Sequence, residues 1–420
     1  MYKHVKGIAT KIYNPDFQNN FWTLLASVAA TVYITLMVFI AVRVIGLAEA
    51  GMLSFAAAVA GLANVVVLFG VRAVQSTDIN QEFSLNSYVG LRVCSALFAS
   101  VSILVFLLLG RVETARVLVI LLVYFVFLTD GVADVFMGDL QQKGKMCVAG
   151  RMRVCAFGSS FVSFAVTSFI TRSLVVSLIL AGVTFFVTYI IWIWAYRKHF
   201  RQVRMKFDMA AIKSLSWTVL PWLMATVIYT FLLNAPKYYL GILCSDESVA
   251  VFSMLVMPIA ALSTLCSSFF MGAEMTKTAK IFASNYTKDT ISRRINSQLL
   301  LAVAFSVAFL LSCFTFGIPL LSLVFDTDLS PYVREFMLLA LGGVSFSIIP
   351  ALGAGMLVLR MQKANLTNMA VVAAISGPIM WFLVSRHGIT GAAFSNLVIF
   401  VPFAVANFVA YRFAINKFVK

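Results

Sequence analysis

Residues 174–194 of this 420-residue chain read LVVSLILAGVTFFVTYIIWIW, and residues 195–213 continue as AYRKHFRQVRMKFDMAAIK. The first stretch carries no charge and is about as long as the 20 residues that a helix needs to cross a bilayer core. The second stretch carries six lysines and arginines against one aspartate. This pattern predicts a membrane-spanning helix that ends in a basic loop.

The rest of the chain repeats the same pattern. Hydrophobic residues make up 61% of the sequence and charged residues 11%, whereas a soluble domain has about 25% charged residues. The apolar runs lack the two-residue alternation of barrel strands. We therefore predict an all-α integral membrane protein with twelve transmembrane helices. The predicted spans are Phe21–Val42, Gly51–Val71, Tyr88–Leu109, Val117–Met137, Val154–Ile170, Leu174–Trp194, Leu215–Leu233, Val249–Met271, Leu299–Ile318, Phe336–Leu359, Met369–Val384 and Ala392–Ala410.

The positive charge of the chain is concentrated on one side of these spans. If the N-terminus is cytoplasmic, the inner segments hold 25 of the 32 lysines and arginines. Basic residues accumulate on the cytoplasmic side of membrane proteins. We predict that both termini are cytoplasmic, and we attribute the net charge of +16 to anionic membrane lipids, with no nucleic acid as partner.

The longest basic loop divides the helices into two equal sets. We predict an N-terminal six-helix bundle over residues 1–195, a cytoplasmic linker over residues 196–213, and a C-terminal six-helix bundle over residues 214–420. Because six is an even number, both bundles enter the membrane from the same side, as parallel repeats do.

Motifs for enzymatic chemistry are missing from the sequence. We find no Walker motif, no HExxH and no paired cysteine–histidine cluster, and the six cysteines and three histidines are scattered. We expect no catalytic residue, no metal site and no cofactor. A transporter is favoured over an enzyme, since the outer loops are too short for a catalytic domain.

Two acidic residues lie inside the fourth predicted span. Asp130 and Asp134 are four residues apart and share one helical face. A charge in the bilayer core costs at least about 2.5–3.5 kcal/mol on insertion scales, so such residues are candidates for ion coupling. The alternative is that Asp134 lies at the interface. Arg92, one turn into the third span, is their expected partner, in a bridge that is either functional or structural.

Three more cations lie at span ends. Arg72 follows the second span on the inner side, where its side chain could also reach the interface. Arg43 and Lys237 end the first and seventh spans on the outer side, where the charge bias disfavours cations. These two residues are candidates for binding an anion, and simple anchoring at the interface is the alternative.

Four segments together resemble a known family. They are RVIGLAEAG at residues 43–51, GVRAVQSTD at residues 70–78, DVFMGDLQQ at residues 134–142 and NAPKYY at residues 234–239. Their order, the twelve spans and the chain length resemble the polysaccharide transporter branch of the multidrug/oligosaccharidyl-lipid/polysaccharide (MOP) exporter superfamily, which contains the O-antigen flippases.

The resemblance implies two six-helix bundles in a V and transport by alternating access. It implies a substrate, undecaprenyl-diphosphate-linked oligosaccharide, that moves from the cytoplasmic to the periplasmic leaflet of a bacterial inner membrane. An O-antigen polymerase and a chain-length regulator are the implied protein partners. Lipid II flippases of the same superfamily usually have fourteen spans, which argues against that role.

The charged residues agree with this function. Arginine and lysine are the usual partners of a diphosphate, and Arg43, Arg72, Arg92 and Lys237 are the predicted substrate-binding residues. Without a nucleotide site, a proton or sodium gradient that acts through Asp130 or Asp134 is the simplest energy source. Two alternatives stay open: a cation-coupled drug antiporter of the same superfamily, and a membrane O-antigen polymerase or glycosyltransferase.

The predicted sidedness can be tested with a membrane-impermeant thiol reagent. In a variant without the six native cysteines, single cysteines at Asp246 and Asp328 should react in intact cells, because these positions are expected to be periplasmic. Cysteines at Lys206 and Lys288 should react only after cell lysis. Labelling of the second pair in intact cells would reverse the orientation.

Overall fold

The computed structural model of the protein describes residues 15–77, 82–110, 112–199, 208–268, 270, 288–358 and 361–418, and the described residues contain helices and no strand. The α-helices are α1 Pro15–Val44, α2 Leu47–Leu68, α3 Val71–Thr77, α4 Leu85–Leu109, α5 Thr114–Gln142, α6 Met146–Thr171, α7 Leu174–Ala195, α8 Met209–Leu243, α9 Asp246–Ser268, α10 Lys288–Ser312, α11 Ile318–Phe325, α12 Val333–Val358 and α13 Gln362–Phe418. Residues 200–207 of the predicted linker, among them Lys206, lie outside the described residues, as do Asp78, Met271 and Leu359.

The length and composition of the helices confirm a multi-pass membrane protein. Within the described ranges, ten helices are long and apolar enough to cross a membrane, and α8, bent by 45° after Pro221, makes an eleventh. Their surfaces expose large apolar side chains, such as Leu108 at 79% and Phe314 at 77%, which only lipid can cover at no cost. The predicted fold class is therefore correct.

The twelve predicted spans correspond to these helices, most of which extend beyond the predicted bounds. Predicted spans eleven and twelve both fall in α13, whose helical path is interrupted at Gly388 by a backbone with φ 52° and ψ −125°. An L-residue with a side chain rarely adopts this conformation. The fifth span was predicted to begin at Val154, but α6 begins two turns earlier at Met146.

The described residues form two compact units, divided between Thr230 and Phe231, so that α8 contributes to both. In the first unit α5 is the central helix. It packs against α2, α3, α4, α6 and α7, while α1 packs along α6. Any polar side chain on the inner face of α5 is therefore enclosed by other helices of the same unit.

The second unit has its own central helix, α12, which packs against α9, α10 and α13. Proline interrupts the helices of this unit at Pro258, Pro350, Pro378 and Pro402. A proline inside a helix removes one backbone hydrogen bond and favours a kink. The central helix of the first unit corresponds to predicted span four, and that of the second unit to predicted span ten.

The contact between α1 and α6 depends on a glycine of α6, which has no side chain. A Cβ atom at Gly150 would lie 2.6 Å from the backbone carbonyl of Trp22, which is closer than real Cβ atoms come to other atoms. Gly158, two turns further along α6, faces open space with no described atom within 4 Å of such a Cβ. Only the first glycine is required by packing.

We expect Gly150→Ala to lower the thermal stability of the detergent-solubilised protein, because α1 must move away from α6 and lose contacts. By helix propensity alone, alanine would instead add about 0.5–1 kcal/mol. Gly158→Ala is the matched control and should leave the melting temperature unchanged or raise it. Equal melting temperatures for the two variants would show that the close approach of α1 and α6 is unimportant.

Candidate functional site

The central helix of the first unit carries both carboxylates that the sequence singles out. Asp130 and Asp134 are four residues apart on α5, about 6 Å along the helix axis. Their side chains are only 5% and 8% exposed. A buried carboxylate must be paired or neutralised, so the neighbouring helices have to supply partners.

Asp134 is held between two guanidinium groups. Nη1 of Arg72 donates to Oδ1 at 2.7 Å, and Nη2 of Arg92 donates to Oδ2 at 3.0 Å. Each carboxylate oxygen thus has its own arginine. One carboxylate thereby connects α3 and α4 to α5.

Arg92 is also bound to the end of α2. Its Nη1 donates to the carbonyl of Val67 at 2.6 Å, and the hydroxyl of Ser95 donates to the same oxygen at 2.8 Å. The last four carbonyls of a helix lack partners within the helix, and Val67 supplies one of them. Arg92 is 2% exposed and holds three helices together.

Arg72 reaches the same carboxylate from a short helix. The backbone turns at Phe69 and Gly70, with φ of 46° and 64°, and α3 starts immediately after them. Arg72 then donates from Nε to Gln141 at 2.8 Å and from Nη1 to the carbonyl of Asp134 at 3.1 Å. Its side chain is 29% exposed, unlike that of Arg92.

Asp130 is paired with residues of α6 and α7. The guanidinium group of Arg153 on α6 donates two hydrogen bonds to the Asp130 carboxylate, from Nε to Oδ1 at 3.2 Å and from Nη2 to Oδ2 at 2.5 Å. The hydroxyl of Tyr189 on α7, itself 1% exposed, donates to Oδ1 at 2.7 Å. A two-pronged arginine–carboxylate pair is among the stronger polar contacts in proteins.

The structure corrects one predicted pairing. Arg92 was expected to pair with both acids, and it binds Asp134, while Asp130 binds Arg153 instead. Sequence reasoning missed Arg153 because the fifth span was predicted to start after it, which left this residue among the loop cations. Arg153 in fact lies two turns inside α6. An arginine within an apolar helical run was the signal available.

The other two predicted cations lie elsewhere. Arg43 is exposed in the last turn of α1, with its guanidinium carbon 4.9 Å from the centre of the Phe39 ring. Lys237 is half-buried in α8 and belongs to the second unit. Of the four predicted substrate-binding residues, the structure brings together Arg72 and Arg92.

We name the group of Asp130, Asp134, Arg72, Arg92 and Arg153 the α5 cluster. It contains three guanidinium groups and two carboxylates, so its formal charge is positive by one. Nη2 of Arg72 and Nη1 of Arg153 have no hydrogen-bond partner in the described part of the chain. The cluster therefore has both the charge and the open N–H groups to bind an anion.

The described residues do not form a cluster of metal ligands. Within the residues that the structure describes, no group of three or more histidine, cysteine, aspartate or glutamate side chains is placed to hold a metal ion. The α5 cluster itself combines carboxylates with guanidinium groups, which repel cations.

Comparisons with solved structures show which known proteins have a similar architecture. A structure described as the inward-facing conformation of a multidrug resistance MATE family transporter of the MOP superfamily aligns with a TM-score of 0.71 at 14% identity, over 93% of this chain and 96% of the other. The lipid II flippase MurJ, in an inward closed conformation, aligns with a TM-score of 0.68 at 13% identity, over 93% and 87%. The chain shares the fold of these two proteins.

A MOP superfamily transporter from Pyrococcus furiosus shares this fold with a TM-score of 0.56 at 14% identity, over 96% of this chain and 95% of the other. No protein-family model and no curated protein sequence matches the chain. This chain therefore has the same fold as a multidrug resistance MATE family transporter and a lipid II flippase, and the choice among functions depends on the residues of the site.

The observed pairing predicts which double mutants compensate. Asp130→Asn and Arg153→Gln should each lower the free energy of unfolding, because each leaves the other charge buried without its partner. The double variant should lose less than the sum, with a coupling of about 1–3 kcal/mol, measured by SDS titration in mixed micelles.

Asp130→Asn with Arg92→Gln is the matched control cycle. Its coupling should be smaller by at least about 1 kcal/mol, since no hydrogen bond joins these two residues. A larger coupling in this second cycle would restore the pairing expected from the sequence.

Proposed function

We propose that this protein is a flippase that translocates undecaprenyl-diphosphate-linked oligosaccharide from the cytoplasmic to the periplasmic leaflet by alternating access. The observation that carries the proposal is the excess of guanidinium over carboxylate in the α5 cluster. A lipid-linked oligosaccharide carries its negative charge on the diphosphate. A membrane protein that moves this group needs cations within its apolar interior.

The exposed members of the α5 cluster are suited to bind the diphosphate. The side chains of Arg72 and Arg153 are each 29% exposed, and each retains an open Nη group. Guanidinium groups bind phosphate oxygens in pairs through a planar fork of N–H donors. We assign these two residues to direct contact, while Arg92, which is buried at 2% exposure, orients Asp134 and the ends of the neighbouring helices.

Arg43 and Lys237 remain part of the proposal as additional contacts. A cation at the predicted outer end of a span is unusual, and these two residues lie on the long helices α1 and α8.

The two carboxylates supply the coupling to an ion gradient in this proposal. When a diphosphate binds Arg153, Asp130 loses part of its counter-charge in an environment that disfavours an isolated carboxylate. A proton or sodium ion would then neutralise the negative charge of Asp130 or Asp134. The ion would be released when the diphosphate leaves and the arginines pair with the carboxylates again. Substrate and coupling ion would thereby compete for the same cluster.

The main alternative, a cation-coupled drug antiporter, has the same fold. An antiporter that binds organic cations needs a carboxylate that is available to them. In the α5 cluster both carboxylates are paired with arginine. The cluster therefore favours an anionic substrate, and the likeness to the lipid II flippase MurJ is consistent with a lipid-linked one.

The remaining parts of the proposal follow from the substrate. A flippase of this kind works in the bacterial inner membrane, where the undecaprenyl carrier is located. An O-antigen polymerase and a chain-length regulator would act on the translocated product and are its expected partners.

Complementation of a flippase-null strain tests the proposal. Arg72→Gln and Arg153→Gln should each reduce surface glycan by at least about tenfold at matched membrane expression, the cost of one charged hydrogen bond. Arg72→Lys should restore part of it, because charge is kept and the forked geometry is lost.

Arg151→Gln is the matched control, two residues from Arg153 on α6. Arg151 binds Gln18 at 3.3 Å and lies 5.2 Å from the ring of Trp22, outside the cluster. It should retain wild-type glycan. Wild-type glycan in both the Arg72 and Arg153 variants would refute the proposed substrate site, and failure of the unmodified chain to complement would refute the flippase.

A further inference from the structure

Three asparagine side chains form a hydrogen-bonded chain inside the second unit. The Nδ2 of Asn368 donates to Oδ1 of Asn407 at 2.9 Å, and Nδ2 of Asn407 donates to Oδ1 of Asn365 at 3.0 Å. Asn365 and Asn368 lie on the part of α13 before Gly388, and Asn407 lies on the part after it. The chain of amides thus links the two halves of this helix.

The ends of this chain remain available for another partner. Asn407 is 1% exposed and uses its oxygen and its nitrogen within the chain. Asn365 and Asn368 are half-buried, three residues apart on one helical face. The Nδ2 of Asn365 and the Oδ1 of Asn368 have no partner in the ranges that the structure describes. The same chain of amides therefore holds one open donor group and one open acceptor, on two residues that are three apart on α13.

A buried hydroxyl is carried by the same face of α13 as Asn407. Tyr411 is four residues after Asn407, on the same face of α13, and is fully buried. Its hydroxyl has no hydrogen-bond partner among the described residues. A buried polar group without a partner costs about 1–3 kcal/mol, so this hydroxyl needs a partner.

The open atoms select a class of ligand. Both open groups are neutral, so they offer hydrogen bonds but no counter-charge to an ion. A hydroxyl group donates one hydrogen bond and accepts two, so hydroxyl groups match both the open donor and the open acceptor. The ligand that fits these atoms is a neutral polyhydroxylated group.

We propose that Asn365 and Asn368, held in place by Asn407, bind sugar hydroxyls of the translocated substrate. This inference rests on the proposed flippase function and adds to it a site for the glycan in the second unit, separate from the arginines. Lys363 and Arg412 flank the asparagines and belong to the basic ends of their spans, which are predicted to be cytoplasmic. That is the side on which a lipid-linked oligosaccharide would enter.

The test compares two lipids on the full-length protein in detergent micelles. The probes are undecaprenyl diphosphate and undecaprenyl-diphosphate-linked N-acetylglucosamine, with affinities measured by microscale thermophoresis. Wild type should bind the glycosylated lipid more tightly. The ratio of the two affinities reports the glycan contact alone, since the diphosphate and the carrier are common to both probes.

Asn365→Asp keeps the oxygen that accepts from Asn407 and removes the open N–H donors. It should lower the affinity ratio about fivefold, the size of one neutral hydrogen bond. Asn368→Ser, which removes the open acceptor, should do the same without adding charge. Thr367→Ala is the matched control, because Thr367 is exposed and its hydroxyl binds only the Lys363 carbonyl of its own helix.

The outcomes separate this inference from the function on which it rests. A reduced ratio in both asparagine variants, with the affinity for undecaprenyl diphosphate unchanged, supports the glycan site. An unchanged ratio in both variants, or no preference in wild type, overturns it while the flippase proposal stands. If wild type binds neither lipid, the flippase proposal fails and the glycan site with it.

Discussion

The arrangement of the first unit depends on the cost of placing charge in an apolar interior. The carboxylate of Asp134 on α5 is bound by Arg72 and Arg92, each of which donates to one of its oxygens. That pairing draws α3 and α4 onto α5 and, through the Val67 carbonyl, fixes the end of α2. Asp130 does the same for α6 and α7 through Arg153 and Tyr189. Two carboxylates on one helix thus organise five neighbours.

The same pairing separates structural from functional roles. Arg92 has its bonds to Asp134 and Val67 and almost no exposed surface, so its loss would be felt first in stability. Arg72 and Arg153 keep exposed surface and open N–H groups, so a ligand can reach them. With one guanidinium more than the carboxylates neutralise, the cluster gains by binding an anion. The residues of the cluster, and not the fold, are therefore the basis on which we propose a lipid-linked diphosphate as the substrate.

Sequence reasoning recovered the fold because lipid imposes a simple rule on it. A span needs about 20 apolar residues whatever its tertiary contacts. The twelve spans and the basic residues at their ends could therefore be identified from the sequence. The ends of the helices were predicted less accurately. The error at the start of α6 hid Arg153, and the break at Gly388 requires a backbone conformation that composition does not reveal.

The candidate site was predictable in part. Asp130, Asp134, Arg72 and Arg92 stood out as charges in apolar runs, and the structure joins them in one cluster. Which acid meets which arginine depends on how α4, α5 and α6 pack, and periodicity along one helix does not contain that information. The asparagine chain of α13 was missed for the same reason. Neutral amides near the ends of spans are common, and the sequence does not show which of them meet in the fold.

Translocation in proteoliposomes tests the central claim most directly. Purified protein would be reconstituted and supplied in separate experiments with undecaprenyl-diphosphate-linked oligosaccharide and with ethidium, an organic cation, with and without an imposed proton or sodium gradient. The account predicts gradient-dependent movement of the lipid-linked oligosaccharide, its loss in Arg153→Gln, and no movement of ethidium. Ethidium transport without movement of the lipid would contradict it.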